Sequence, residues 1–236
     1  MPYDWKLLYR RRRRTPDPYR VMYFDMETLR AAALLNWDDP TGTRDGTITG
    51  ATISPTGVPA KSCFFDGNDY ISIGAFGLSG TALTFATWVR CSLNPTVSQT
   101  LIGDAAESAA IGYIVSLRNA NTDTLRWDYA YGTDHGSATA SGFFTGYNDA
   151  WVHVAVVCDY AAKTCKFYRN GTLHTTVNMT GTPVFPSTSR TRYLGAYNST
   201  PIHPLTNGYI DEVQLWTRAL TDAEVLDEAR KLPARG

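Results

Sequence analysis

Residues Asn207 to Leu226 read NGYIDEVQLWTRALTDAEVL, and this stretch decides the fold. Its first half alternates: Tyr209, Asp211, Val213 and Leu215 are expected on one side, with Ile210, Glu212, Gln214 and Trp216 on the other, the period of a β-strand leaving a glycine turn. The second half changes period. Thr221 followed by Glu224 is a capping box, which predicts a short helix carrying Ala223, Val225, Leu226 and Ala229.

Gly208-Tyr209-Ile210-Asp211-Glu212-Val213, Arg218-Ala219-Leu220-Thr221 and Glu224 together resemble the closing signature of laminin-G-like domains of the concanavalin-A-like lectin/glucanase superfamily. Three further landmarks of that family precede it in order. Tyr23-Phe24-Asp25 resembles the opening strand. Phe65-Asp66-Gly67-Asn68-Asp69-Tyr70 resembles the Asp-Gly turn, followed by the strand with tryptophan, Thr84 to Val89. Trp151-Val152-His153 leads into a hairpin that ends in Tyr168-Arg169-Asn170-Gly171. The resemblance covers residues 21 to 230 and implies an all-β, two-sheet antiparallel jelly-roll sandwich with a short C-terminal helix. Physics alone points the same way, because about a dozen short alternating segments are punctuated by 19 glycines and 12 prolines. Residues 20–236 are expected to form this one domain, behind an arm of residues 1–19. Glu27 to Asn36 reads as a short helical turn.

Lys+Arg and Asp+Glu are both 22, so no global field draws in nucleic acid or membrane. One local excess stands out: Arg10, Arg11, Arg12, Arg13 and Arg14 run consecutively, behind Tyr3, Trp5, Leu7 and Leu8. Such a run repels itself and gains order on a partner. Trp5 and the leucines would anchor while the arginines bridge to acidic protein surface or, as a lesser alternative, to nucleic acid phosphate.

No apolar run marks a signal peptide, and nothing reaches membrane-spanning length. Cys63, Cys91, Cys158 and Cys165 are therefore expected as buried thiols. Cys158 and Cys165 could face each other across a hairpin, but two thiols are the expectation there too.

Catalysis lacks its parts. Retaining glycoside hydrolysis needs two carboxyls about 5 Å apart, and no strand carries acids spaced for that. The histidines are scattered, and no nucleophile motif accompanies them, so a non-enzyme is expected. The resemblance implies one structural calcium on Asp25, Asp66 and Asp211, with Asn68 or Asp69 assisting. The residues alone read equally well as turn formers, with Asp211 pairing an arginine. Sugar binding would use aromatic faces with polar groups beside them. The stripe Trp127, Tyr129, Tyr131 has the period of core, which leaves the loop with Tyr197, Asn198 and His203 as the surface candidate.

A recognition fold without a secretory signal, behind a partner-seeking arm, fits assembly inside a cell and later display. A virion protein, such as a phage capsid decoration or tail-associated protein, is the expected setting, with glycans as possible ligands and homo-oligomers possible. The alternative is a binding module of, or fragment from, a carbohydrate-active enzyme.

Overall fold

The computed structural model describes residues 17–26, 28–58, 61–93, 98–104, 113–118, 123–131, 134–187, 189–200 and 203–230. Two antiparallel sheets face each other. The first, in spatial order, is β15 (Thr172–Asn178), β14 (Thr164–Arg169), β13 (Val152–Asp159), β8 (Ala82–Arg90), β17 (Thr206–Trp216), β6 (Ser62–Asp66) and β5 (Thr52–Ser54), with β1 (Arg20–Phe24) also pairing β17. The second is β12 (Asp134–Ala140), β11 (Thr124–Tyr131), β10 (Tyr113–Arg118), β9 (Gln99–Gly103), β16 (Arg190–Leu194), β7 (Tyr70–Phe76), β4 (Gly46–Thr49), β3 (Ala33–Leu34) and β2 (Leu29–Arg30). Between them lies one core that includes Phe24, Phe65, Phe85, Trp127, Phe143 and Phe167. Burying each such ring contributes roughly 1.5–3 kcal/mol.

β17 is the hinge of the design. Along one edge it pairs β8, while its other edge is shared: Thr206 to Ile210 pair β6, and Val213 to Trp216 pair β1. The simple alternation expected of this strand fails. Glu212 has φ of 54° and the register shifts between Asp211 and Gln214, so a bulge adds one residue. Ile210, Val213 and Leu215 consequently all enter the core, although the plain period of two separates Ile210 from the other two. The left-handed backbone at Glu212 costs about 1–2 kcal/mol. It is offset locally, because Asp211 Oδ1 accepts from Glu212 N at 2.8 Å and Asp211 Oδ2 accepts from Val58 N at 2.7 Å.

The helix α1 (Asp222–Arg230) starts at the expected capping box: Glu224 N donates to Thr221 Oγ1, and Thr221 N donates to Glu224 Oε2 at 2.8 Å. It lies on the outer face of the first sheet, where Val225 and Leu220 cluster with Ala86, Ala155, Val157, Tyr168 and Trp216. Alanines at positions 86 and 155 keep that part of the sheet shallow enough for a helix.

Two expectations are corrected. The described part of the Glu27 to Asn36 stretch, residues 28–36, holds no helical turn; β2 and β3 form a tight hairpin, with Ala31 at φ of 55°. Asp25 caps its base by accepting from Thr28 N and Thr28 Oγ1, each at 2.9 Å, and burial of Leu34 fixes its inner strand. Cys158 and Cys165 are a disulfide, not two thiols. The hairpin registers them as direct partners with Cα atoms 4.2 Å apart, and this local geometry outweighs any argument from compartment. Cys63 and Cys91 are buried free thiols, and burial pushes both up to about 12.

Candidate functional site

The outer face of the first sheet has two halves. α1 covers one. In the other, two residues further along the same strands, the small side chains give way to large ones: Ala86 is succeeded by Trp88 and Arg90 on β8, and Ala155 is preceded by His153 on β13. Register then assembles an aromatic shelf. Tyr209 of β17 stands between Phe64 of β6 and Arg90 of β8. Its ring centroid is 4.8 Å from that of Phe64 and 6.2 Å from that of Trp151, and the Arg90 guanidinium lies 5.4 Å above the ring. Phe64, Trp88, Arg90, Trp151 and Tyr209 are all half-buried, so the shelf keeps aromatic surface in contact with water.

At its rim, Arg90 Nε donates to Asp149 Oδ1 at 2.8 Å. Asp149 is held below the usual carboxylate range chiefly by that hydrogen bond and charge. Beneath the shelf, His153 stands edge-on to Trp88 at 5.4 Å. It is buried, and the desolvation of its imidazole drops its pKa to about 3, so it is a neutral part of the floor. Flat aromatic faces beside a paired Arg and Asp can stack on the apolar face of a sugar ring and hydrogen-bond its hydroxyls.

The candidates read from sequence lie elsewhere. Asp25 is engaged at the hairpin base and also accepts from Trp37 Nε1 at 2.9 Å. Asp66 is exposed at the end of β6; its N–H donates to Asp69 Oδ2 at 2.8 Å, while its Oδ1 accepts from Asn68 N at 3.3 Å. Burial raises Asp69 above its ordinary range. Asp211 serves the bulge. Among the described residues, no group of three or more His, Cys, Asp or Glu comes together.

Tyr197 and Asn198 are half-buried and His203 is exposed, in a segment tied to the other sheet: Thr100 N donates to the His203 carbonyl at 2.9 Å. Trp127 and Tyr129 are core, as their strand period predicts. Trp5 and Arg10 to Arg14 lie outside the described residues. The described chain opens at Asp17, whose carboxylate accepts from Arg218 Nη2 at 2.7 Å, and Arg218 also pairs Glu224 at the start of α1. No helix is long and apolar enough to cross a membrane among the described residues.

A two-sheet jelly roll with an open aromatic face defines a lectin-type sandwich. The family model Laminin G 3, described as Concanavalin A-like lectin/glucanases superfamily, matches residues 65–226, and the chain belongs to that family. Comparison with curated proteins returns no significant match. Among solved structures, the receptor binding domain of botulinum neurotoxin D is similar, with a TM-score of 0.65, 13% identity, and coverage of 90% of this chain and 52% of that one. The serotype D ligand binding domain in complex with N-acetylneuraminic acid has a TM-score of 0.64 at 11% identity, covering 90% and 50%. The type G receptor binding domain gives 0.63 at 12%, covering 89% and 51%. The chain thus spans about half the length of these structures, and at such identities the likeness is one of fold.

Proposed function

We propose that this chain is a non-catalytic recognition module that binds a glycan on the shelf formed by Phe64, Trp88, Trp151 and Tyr209. The single observation that carries the reading is the change from covered to uncovered aromatic surface along one sheet face. A face built only for stability would continue its cover over these rings as it does over Tyr168 and Trp216. Here four half-buried rings and an Arg–Asp pair adjoin the helix instead. The relation to lectin-type folds, one of them described with a bound sialic acid, agrees with this use but does not by itself assign it. The module is carried on a larger assembly, of which a virion is the proposed case, through the arginine-rich segment; that half of the reading rests on the sequence of residues 1–16.

The test is affinity electrophoresis against a panel of soluble polysaccharides, followed by tryptophan fluorescence titration with oligosaccharides of any that retard the protein. Trp88→Ala and Tyr209→Ala should each weaken binding roughly tenfold or more while far-UV circular dichroism is unchanged. Binding that ignores both substitutions would move the site off the shelf.

A further inference from the structure

β16 opens with Arg190-Thr191-Arg192, and Arg192 is fully buried. Its Nη1 donates to the Phe76 carbonyl at 2.6 Å and to the Arg190 carbonyl at 3.2 Å. Its guanidinium lies 4.0 Å from the centroid of the Phe76 ring, and Arg44 reaches the same ring at 5.3 Å. The other edge of Arg192, Nε and Nη2, is buried without a hydrogen-bond partner, and so is Nε of Arg190. Arg44 pairs with Asp39 at 3.6 Å, whereas no ion pair joins Arg190 or Arg192 to a carboxylate among the described residues.

A guanidinium removed from water without a counter-charge is strongly unfavourable. The edge left without a partner is the one that grips an oxyanion with two parallel N–H donors. This chain uses that same edge elsewhere: Arg20 donates through Nε and Nη2 to the two oxygens of Asp38, at 2.8 and 3.1 Å. We infer that Arg192, with Arg190 beside it in the strand, forms an oxyanion site that takes one carboxylate, phosphate or sulfate group on the Nε–Nη2 edge. Arg190 is the first residue of β16 and pairs with Phe76, the last residue of β7. The site therefore lies at the paired ends of β16 and β7, and because Arg192 is fully buried the acidic group reaches that edge only when the side chains covering it move aside. It belongs to the second sheet and does not depend on the shelf.

The experiment is thermal unfolding of the full chain in phosphate, sulfate or acetate against chloride at matched ionic strength, over a wide range of anion concentration. The wild type should show a saturable rise in Tm. Acetate against phosphate distinguishes a carboxylate from a phosphate-type occupant. Arg192→Lys keeps the charge but loses the fork, and should weaken the apparent affinity about tenfold, the factor that about 1.4 kcal/mol represents. Arg192→Met should abolish the saturable phase. A wild-type response that is absent or rises without saturation, as a general salt effect would, overturns the site, as does a saturable response that survives in both variants. If Arg192→Met fails to fold, the wild-type curve and the Lys variant still decide.

Discussion

Acid should destabilise this domain through one buried imidazole before it reaches the carboxylates. His153 has a folded pKa of about 3, depressed by burial, against about 6.5 in an unfolded chain. Between those values the unfolded state binds a proton that the folded state refuses, so stability rises with pH across the window and falls as pH drops below about 6.5. From pH 7 to pH 5 the difference amounts to about 2 kcal/mol, since each pH unit well inside the window is worth about 1.4 kcal/mol. The perturbation is His153→Phe, which removes the titration but keeps a flat ring edge-on to Trp88. Urea unfolding followed by tryptophan fluorescence at pH 7, 6 and 5 gives both stability curves. Every other titrating group contributes equally to the two proteins, so the wild type minus the variant isolates His153. That difference should shift by about 2 kcal/mol against the wild type from pH 7 to pH 5. Parallel curves would refute the reasoning and mean that the imidazole is protonated in the folded state.

Opening the Cys158–Cys165 bond, which closes a loop with a sequence separation of only 7, should cost about 2 kcal/mol, because short loops gain least from cross-linking. Thermal melts with and without reductant measure it, and a thiol assay on the denatured, unreduced protein should count the two free cysteines, Cys63 and Cys91. Gly195→Ala should be far more damaging. At φ of 76° the added Cβ would sit 2.2 Å from the Phe65 ring, so a loss of about 3 kcal/mol or more in urea unfolding is expected from strain and overpacking together. A loss below about 1 kcal/mol would mean that the ring moves freely.

Much of the fold was legible because its signals are local. Thr221 and Glu224 announce the helix start by chemistry that operates within one turn, and the alternation in β8 and β13 needs no knowledge of what they pack against. Where a distant partner decides, the sequence misled. Ile210 and Val213 share the core only because one residue at Glu212 turns left-handed, and no pattern of two reveals an added residue. The same bulge draws on Asp211, whose oxygens accept from Glu212 N and Val58 N, a role that its place in the motif does not announce. The shelf is hard to see in the sequence because Trp88, Trp151 and His153 stand at family landmarks, and aromatic residues in strands usually mean core. One signal was available: within β8 the outward positions change from Ala86 to Trp88, which marks where the covering helix ends.

The chain enters and leaves the sandwich side by side. Arg20, at the start of β1, donates to Gln214 Oε1 at 3.2 Å, and Gln214 Nε2 in turn donates to Glu228, near the end of α1, at 3.1 Å. One glutamine thus spans the incoming and outgoing backbone, which Arg218 fastens again through Asp17 and Glu224. A domain whose two ends are stitched side by side can be spliced into a surface loop of a host protein without prising that host apart, so the same sandwich is portable between very different carriers.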